Sequence, residues 1–536
     1  MKLTSSQVRD LWSKFWSDRG HHHLVPASII ADSENQTVLF NVAGMQQLVP
    51  YLIGKPHPHG PRLYNIQKCL RTNDIDDIGD ERHLSLFEMM GNWSLGDYFK
   101  PDALKRSVEF LVDILHIDPT MLGATVFAGS AMVPRDVESI EILRSLGIQH
   151  IQEIGLDKEG ESDNFWTPGP VGPCGPCCEL YIDRGEQYGP DDRAMGTNDR
   201  YTEIWNNVFM LYYADGSGTI TPLTQINVDT GMWFERLMMI LQQTPTIFET
   251  DIFEDCISQI ALSTHTTYPP LVGSGLSSTT QSYRIVTDHS RSATVLVSEW
   301  VVPSNEWRGY VLRRLIRRMR YHITTLCPTV DTDVILCALI HSHLQHFAMM
   351  MGSASAELIV THFQKEVTLF QHTIAKWSKL LHEEIQKIWP GWLLSGSLIF
   401  HLYDTHGFPV ELTQEIARQS YVTCDMEWYH VALSQAKTLS RATQQFKNTT
   451  DRSQYLADIP PTQFHYDVMD MTESRIIKDF TVDGQRIIIL DHTSFYAESG
   501  GQKGDTGRIT TDTGEQLIVT DVKKFAGVFL HLVKEV

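Results

Sequence analysis

Two short stretches combine residue types that can handle a nucleotide and an amino acid. The first, YNIQKCLRTNDIDDIGDERHLSLFEMMGNWSLGDYFK (64–100), carries Arg71 at the end of one strand-like run and Phe87 inside the next. A guanidinium grips phosphate oxygens in pairs, and an aromatic ring offers its face to a flat base. The second, INVDTGMWFERLMMIL (226–241), runs from a strand ending in Asp229 through Gly231 into an apolar helix bearing Arg236. A carboxylate held at a strand end can pair with an α-ammonium group, and an arginine in the first turns of a helix can meet a polyphosphate. Each of these residues is commonplace by itself, as a surface charge or a core ring. Only their company is informative.

The elements that must hold them follow from hydrophobic patterning. Residues 1–245 alternate helical patterns, beginning with the amphipathic MKLTSSQVRDLWSKFW, with strand-like runs such as TVLFNVAGM, HLSLFEMMGNWS and EIWNNVFML. That mix predicts an antiparallel or mixed sheet with helices packed on it. VGSGLSSTTQS (272–282) has no periodicity and reads as a flexible loop near a boundary. From about 283 to 450 the pattern is helical. After about 460 it turns to strands, with a hairpin signal in RIIKDFTV-DG-QRIIIL and a Gly-rich turn in ESGGQKGDTG. The expectation is an α+β fold in three domains, 1–245, 246–455 and 456–536.

Composition narrows the function classes. The apolar runs are too short and broken to span a bilayer, and the N-terminus lacks a secretory signal, so the cytoplasm is expected. Eight cysteines in 536 residues are too few for a disulfide scaffold. Cys174, Cys177 and Cys178 crowd into GPCGPCCE, but no second ligand pair accompanies them, so a stiffened loop without zinc is expected. A net charge of −21 argues against general coating of nucleic acid but not against a local basic face. RGYVLRRLIRRMR offers one: Arg313, Arg314, Arg317 and Arg318 alternate with Leu312, Leu315, Ile316 and Met319 at helical spacing. On charge alone a merely solvated face is as good a reading.

Together the two blocks resemble motifs 2 and 3 of class II aminoacyl-tRNA synthetases, and the wording resembles the alanyl-tRNA synthetases. It is carried by GHHHLVPAS with NVAGMQQ, RHLSLFEMMGNWSLGDYF, DNFWTPGPVGPCGPCCE, EIWNNVFM, VDTGM with ER beyond it, PSNEWRGYVLRRLIRR, LYDTHGFPVELT and FYAESGGQKGDTG. These occur in the family's order over nearly the whole chain. The resemblance implies an antiparallel class II sheet, ATP and Mg²⁺ as cofactors, and alanine and tRNA(Ala) as partners, with no membrane and no zinc. It implies Arg71 on the α-phosphate, Phe87 stacked on adenine, Arg236 on the γ-phosphate, and Arg82 and His83 on the outer phosphates. Glu203 and Asn206 are then placed for the ribose-phosphate or its Mg²⁺. Asp229 would hold the ammonium of alanine, with Gly231 leaving room and Met89, Trp166, Trp205 and Val208 walling the methyl. In the helical region, Asn305 and Asp404 would read a G·U pair of the acceptor stem, with the arginine face gripping phosphates.

Three departures stand out. Trp233 occupies a position where the family has glycine, so an indole must fill space under the nucleotide or displace a neighbour. The loop TNDIDDIGDE is acidic where relatives are basic, which weakens expected phosphate contacts. The sequence stops before the family's proofreading zinc site and C-terminal module, so a short, monomeric form without proofreading is expected. Two rivals remain: a non-catalytic tRNA-binding paralogue with an altered ATP site, and an enzyme that hands its adenylate to another acceptor.

Overall fold

The protein is described from a computed structural model. The structure describes residues 2–31, 39–158, 161–167, 171–191, 195, 199–269, 277–305, 307–388, 393–406, 408–433, 459, 462–465, 474–482, 485–495, 505–511, 514–525 and 528–535. It divides into two compact units, Met1–Pro303 with Trp307–Ala375, and Ser304–Glu306 with Lys376–Val536.

The first unit is built on a nine-stranded mixed sheet. Its strands are β1 (His22–His23), β2 (Arg62–Leu70), β3 (Leu86–Leu95), β4 (Leu122–Phe127), β5 (His150–Ile154), β6 (Phe165–Trp166), β7 (Val171–Asp183), β8 (Tyr201–Asp215) and β9 (Ile220–Trp233). The order is β1-β2-β3-β9-β8-β7-β4-β5, with β6 alongside β7. Only β1–β2 and β4–β5 run parallel within that order, so the central six strands form the antiparallel face the sequence predicts. Every residue of β3 is buried, with Phe87, Met89, Trp93 and Leu95 on one face and the polar Glu88, Asn92 and Ser94 among those on the other. The helix α1 (Ser5–Ser17) starts at a Thr4–Gln7 capping box and packs Val8, Trp12, Phe15 and Trp16 into the core.

Next come α2 (Val49–Leu52), α3 (Lys100–Glu109), α4 (Val137–Ser145), α5 (Phe234–Gln242), α6 (Glu254–Thr264), α7 (Ser278–Ser298), α8 (Trp307–Leu326), α9 (Thr332–His346) and α10 (Ala356–Gln386). In the second unit α11 (Gly396–His406) and α12 (Val410–Gln419) precede a five-stranded antiparallel sheet. Its strands are β13 (Ile476–Val482), β14 (Gln485–Leu490), β16 (Gly507–Thr510), β17 (Gln516–Phe525) and β18 (Val528–Glu535), flanked by the short pairs β10–β11 (Leu393–Leu394, Thr423–Cys424) and β12–β15 (Gln463–Phe464, His492–Thr493). Along β14, Ile488 and Leu490 pack on one face and Ile487 and Ile489 on the other, the two-residue period of a strand covered on both sides.

Four expectations need correction. TVLFNVAGM is not a strand: its described part makes one isolated bridge, Ile30 to Phe40, and then a 3₁₀ turn at Gly44–Leu48. GPCGPCCE is not a loop but the middle of β7, because a bulge between Cys174 and Cys177 lets Pro176 sit opposite β6 without a missing ladder bond. At Gly175 the backbone approaches Phe209 so closely that a Cβ would lie 2.0 Å from its carbonyl oxygen. The expected loop over 272–282 is helical from Ser278, since Ser277 caps the Thr280 amide and Thr280 and Ser282 are buried; residues 272–276 lie outside the described residues. The second strand block also runs past Asp229 to Trp233 before α5 begins. The turn ESGGQKGDTG lies largely outside the described residues, as does 434–450 of the helical stretch.

Candidate active site

Register lays out one face of the sheet. β3 and β9 pair Met89 with Trp233, Gly91 with Gly231 and Trp93 with Asp229. β9 and β8 pair Asp229 with Val208 and Gly231 with Asn206, and β8 sets Asn206 against Glu179 of β7. Alternate positions therefore converge on a cavity of about 1050 Å³. Arg71, Arg82, His83, Met89, Trp166, Glu203, Asn206, Val208, Asp229, Gly231 and Arg236 all line it. Of the thirteen residues expected to bind ATP or alanine, eleven meet there. The other two, Phe87 and Trp205, do not.

Asp229 is buried, and its carboxylate accepts a hydrogen bond from Trp93 Nε1 at 2.6 Å. Burial pushes its pKa up to about 7, only partly offset by the indole N–H. An ammonium group is the partner that would relieve that cost. Beside it, a Cβ on Gly231 would lie 2.7 Å from Met89 Sδ, so the glycine is what leaves the floor open. A titration follows. Asp229 must lose its proton to pair with a charged amine, so the KM for alanine should fall about tenfold between pH 6 and pH 8 as the group ionises around its value near 7. A flat profile in steady-state kinetics would show that some other group holds the amine.

The phosphate end is set by arginines. Arg71 follows β2, with Nε donating to the Val42 carbonyl at 3.3 Å. Arg236, in the first turn of α5, donates to the Glu203 carboxylate at 2.9 Å. Between them lies the unexpected feature. Trp233 stacks on Phe87 with ring centroids 4.0 Å apart and planes at 27°. Arg236 Cζ stands 4.1 Å from the indole centroid and Arg71 Cζ 4.9 Å from it. Phe87 is fully buried by this stack and is absent from the cavity lining. The flat slot expected on Phe87 is thus filled by the protein's own indole.

Trp205 is corrected as well. With Asn206 and Val208 on the cavity side, ordinary alternation turns Trp205 to the far face, where it packs 5.5 Å from Trp12 and 6.0 Å from Phe110. The bulge opposite Leu180 and Tyr181 brings Glu203 onto the cavity side. On the cavity side the wall is acidic instead. The Glu179 carboxyl accepts from Tyr181 Oη at 2.8 Å and from Asn206 Nδ2 at 3.2 Å. Burial first, then the nearby charge of Glu203, raises its pKa well above the carboxylate range. Asn206 Oδ1 is buried and makes no hydrogen bond among the described residues. The amide oxygen of Asn206 and the carboxylate of Glu203, both lining the cavity, are hard-oxygen donors of the kind Mg²⁺ takes, and the residues present fit it. No described group of three or more His, Cys, Asp or Glu residues is arranged to hold a metal through the protein alone.

Comparison with known proteins fixes the family. The family model for tRNA synthetases class II (A) matches residues 7–536. The chain belongs to that family. Alanine–tRNA ligase of Fusobacterium nucleatum is 34% identical over 555 residues, covering 99% of this chain and 61% of that protein. Alanine–tRNA ligase of Crocosphaera subtropica is 37% identical over 545 residues, covering 99% and 60%. The chain thus spans about 60% of the length of the curated relatives it matches. Among its described residues, no helix is long and apolar enough to cross a membrane.

In this synthetase chain the residues expected to face tRNA are placed unevenly. Arg318 is buried on α8 and donates to the carbonyls of Ile75 and Ile78, so it is no surface phosphate contact. Its position in the sequence ladder faces inward between Leu315 and Met319, which charge counting overlooks. Arg313 and Arg317 both pair with Glu366 of α10, at 3.2 and 2.7 Å, and Arg314 is half-buried. Asn305 is exposed. Asp404 belongs to α11, and its side chain lies outside the described residues. Trp93, Glu179 and Tyr181 were missed. The two-residue period from Met89 would have placed Trp93 on the Asp229 face, but the bulges in β7 and β8 left no such signal for the other two.

Proposed function

We propose that this chain activates alanine with ATP to alanyl-adenylate and transfers the aminoacyl group to the 3′ end of tRNA(Ala). The observation that supports this best is the buried Asp229 carboxylate in a cavity that also holds Arg71, Arg82 and Arg236. Relatives named alanine–tRNA ligase, at 34–37% identity, support the choice of amino acid. In this reading Asp229 holds the ammonium group, while Met89, Trp166 and Val208 enclose the methyl. The alanine carboxylate attacks the α-phosphorus in line and pyrophosphate leaves. Arg71 steadies the α-phosphate, and Arg82, His83 and Arg236 take the outer phosphates. Glu203 and Asn206 would hold Mg²⁺, which would supply further neutralisation of phosphate charge. A terminal ribose hydroxyl of tRNA then attacks the adenylate carbonyl, releasing AMP. No side-chain nucleophile is required, so positioning carries the rate. Within a cytoplasmic enzyme, we assign activation to residues 1–245 and tRNA recognition to 246–455.

A second reading has its own support. Trp233 stacked on Phe87 fills a slot for a flat base, as a non-catalytic tRNA-binding paralogue would have it. One experiment separates the two: alanine-dependent ATP–pyrophosphate exchange, followed by charging of tRNA(Ala). Exchange and charging together support the enzyme. Neither, with tRNA binding intact, supports the paralogue.

We assign recognition of the G·U pair to Asn305 and Asp404, and the phosphate grip to Arg313, Arg314 and Arg317. Asn305→Ala and Asp404→Ala should each lower the kcat/KM of tRNA charging about tenfold or more, since a bidentate base-edge contact contributes about 1–3 kcal/mol. Pyrophosphate exchange should change less than twofold. Equal losses in the two assays would assign these residues to upkeep of the fold.

A further inference from the structure

Two buried arginines outside the cavity converge on one loop of it. Arg284 of α7 is fully buried, and its Nη1 donates to the carbonyls of Gly79 at 3.3 Å and Asp80 at 3.0 Å. Its Nε donates to Tyr268 Oη at 3.1 Å, and Tyr268 in turn donates to Glu249 at 2.6 Å. From α8, Arg318 donates to the carbonyls of Ile75 and Ile78. The same loop, 72–83, thus has four backbone carbonyls held by two guanidiniums from neighbouring helices. Its stem is held too: Ser85 donates its amide to Asp288 at 2.8 Å, and the Ser85 carbonyl accepts from the Arg71 amide at 2.9 Å.

The clamp is internally consistent in its protons. His289 sits between Asp288, 2.8 Å from Nδ1, and Arg318, 3.3 Å from Nε2. Burial keeps this imidazole neutral, its pKa lowered to about 4. With the proton on Nδ1, it donates to Asp288 and accepts from Arg318, so both partners are satisfied by one tautomer. Gly79, at φ +126°, is pressed onto α7: a Cβ there would lie 2.7 Å from Gln281 Cγ. A long acidic loop would otherwise be free to choose among conformations.

What the clamp fixes faces the cavity. Asp80 turns its carboxylate inward to accept the amides of Arg82, at 3.0 Å, and His83, at 2.8 Å, and it also meets His83 Nδ1. Those hydrogen bonds hold the Asp80 carboxyl below the usual range despite its burial. Arg82 and His83 then line the cavity at its phosphate end. We propose that Arg284 and Arg318 are positioning residues for ATP, which fix the loop 72–83 so that Asp80 presents Arg82 and His83 to the outer phosphates. The proposal rests on the reading of the cavity as an ATP site. Of the acidic loop's carboxylates, Asp80 is spent on orienting the basic pair, while Asp74 lines the cavity.

The full chain tests this in two ways. Amide hydrogen exchange needs no reaction, so it stands even if the wild-type protein shows no pyrophosphate exchange, a result that would overturn the functional reading alone. In Arg318→Met and in Arg284→Met, the Arg82 and His83 amides should exchange at least tenfold faster, with the rates in β3 and β9 unchanged. Unchanged rates at Arg82 and His83, or a rise spread over the whole sheet, would overturn the proposal. In pyrophosphate exchange, Arg318→Met should raise the KM for ATP about tenfold and leave the KM for alanine within twofold. Combined with His83→Ala, it should add little to the loss that His83→Ala causes alone, because both changes act on the same contact. Additive losses, or equal rises in both KM values, would reduce the arginines to general stabilisers.

Discussion

Replacing Asp229 with alanine is expected to abolish alanine-dependent pyrophosphate exchange, lowering kcat/KM by a factor of roughly 10² to 10³ or more. The physical reason is the buried carboxylate, which would be the ammonium's charged partner in a site closed to water; breaking such a pair costs about 3–5 kcal/mol. Stability should move the other way. In the folded protein the Asp229 carboxyl titrates at about 7, against an ordinary 3.8. Between those values the unfolded chain has already released this proton and the folded chain has not, so stability falls as pH rises. The cost is fully present above pH 7. Asp229→Asn keeps an acceptor for Trp93 and removes the charge. It should therefore be inactive yet at least as stable as the parent in thermal melts at pH 8. A folded Asp229→Ala protein that exchanges pyrophosphate normally would exclude this carboxylate from substrate binding.

Trp233→Gly should lower the KM for ATP by about tenfold or more. The indole is held by Phe87 on the stack and by two guanidiniums around it. An aromatic stack is worth about 0.5–1.5 kcal/mol, and a cation–π contact adds about 0.5–2 kcal/mol. An incoming base that uses the same slot must displace those contacts, which lowers its apparent affinity by the fraction of molecules with the slot open. Emptying the slot removes that competition, although the buried space left behind should also reduce thermal stability. Kinetics at varied ATP, together with a melting curve, check both effects. Should the parent protein be inert and Trp233→Gly active, the paralogue reading is the right one. A folded variant with a raised KM would mean that the indole is a platform for the nucleotide.

The sequence exposed what depends on local pattern. The strand runs around Phe87 and Asp229 are long, apolar and bounded by clear turns, so the hairpin and the β9–α5 junction were legible, and with them Arg71, Asp229, Gly231 and Arg236. The arginine ladder of α8 was legible as a helix but not as a mixture of roles. Which arginine turns inward depends on the loop 72–83 crossing it, and no local pattern encodes that crossing. Alternation from Asn206 and Val208 turns Trp205 away from the cavity, so its face was legible in EIWNNV. The GPCGPCCE segment was not, because bulges in β7 and β8 break the two-residue alternation from which a strand is read. Trp233 was noticed as a misfit, yet its stacking partner could be found only once β3 and β9 were set side by side.

The bulged strand β7 has one more consequence. Cys174, Cys177 and Cys178 have no accessible surface, and burial raises all three thiols above their ordinary pKa, Cys174 to about 11. A thiol reacts as its anion, so in the native state these three are shielded twice over, by access and by protonation. Alkylating reagents can reach them only when the packing over the faces of β7 opens. The rate at which a maleimide consumes them is thus a clock for that opening event, set in the middle of the fold and requiring no introduced label.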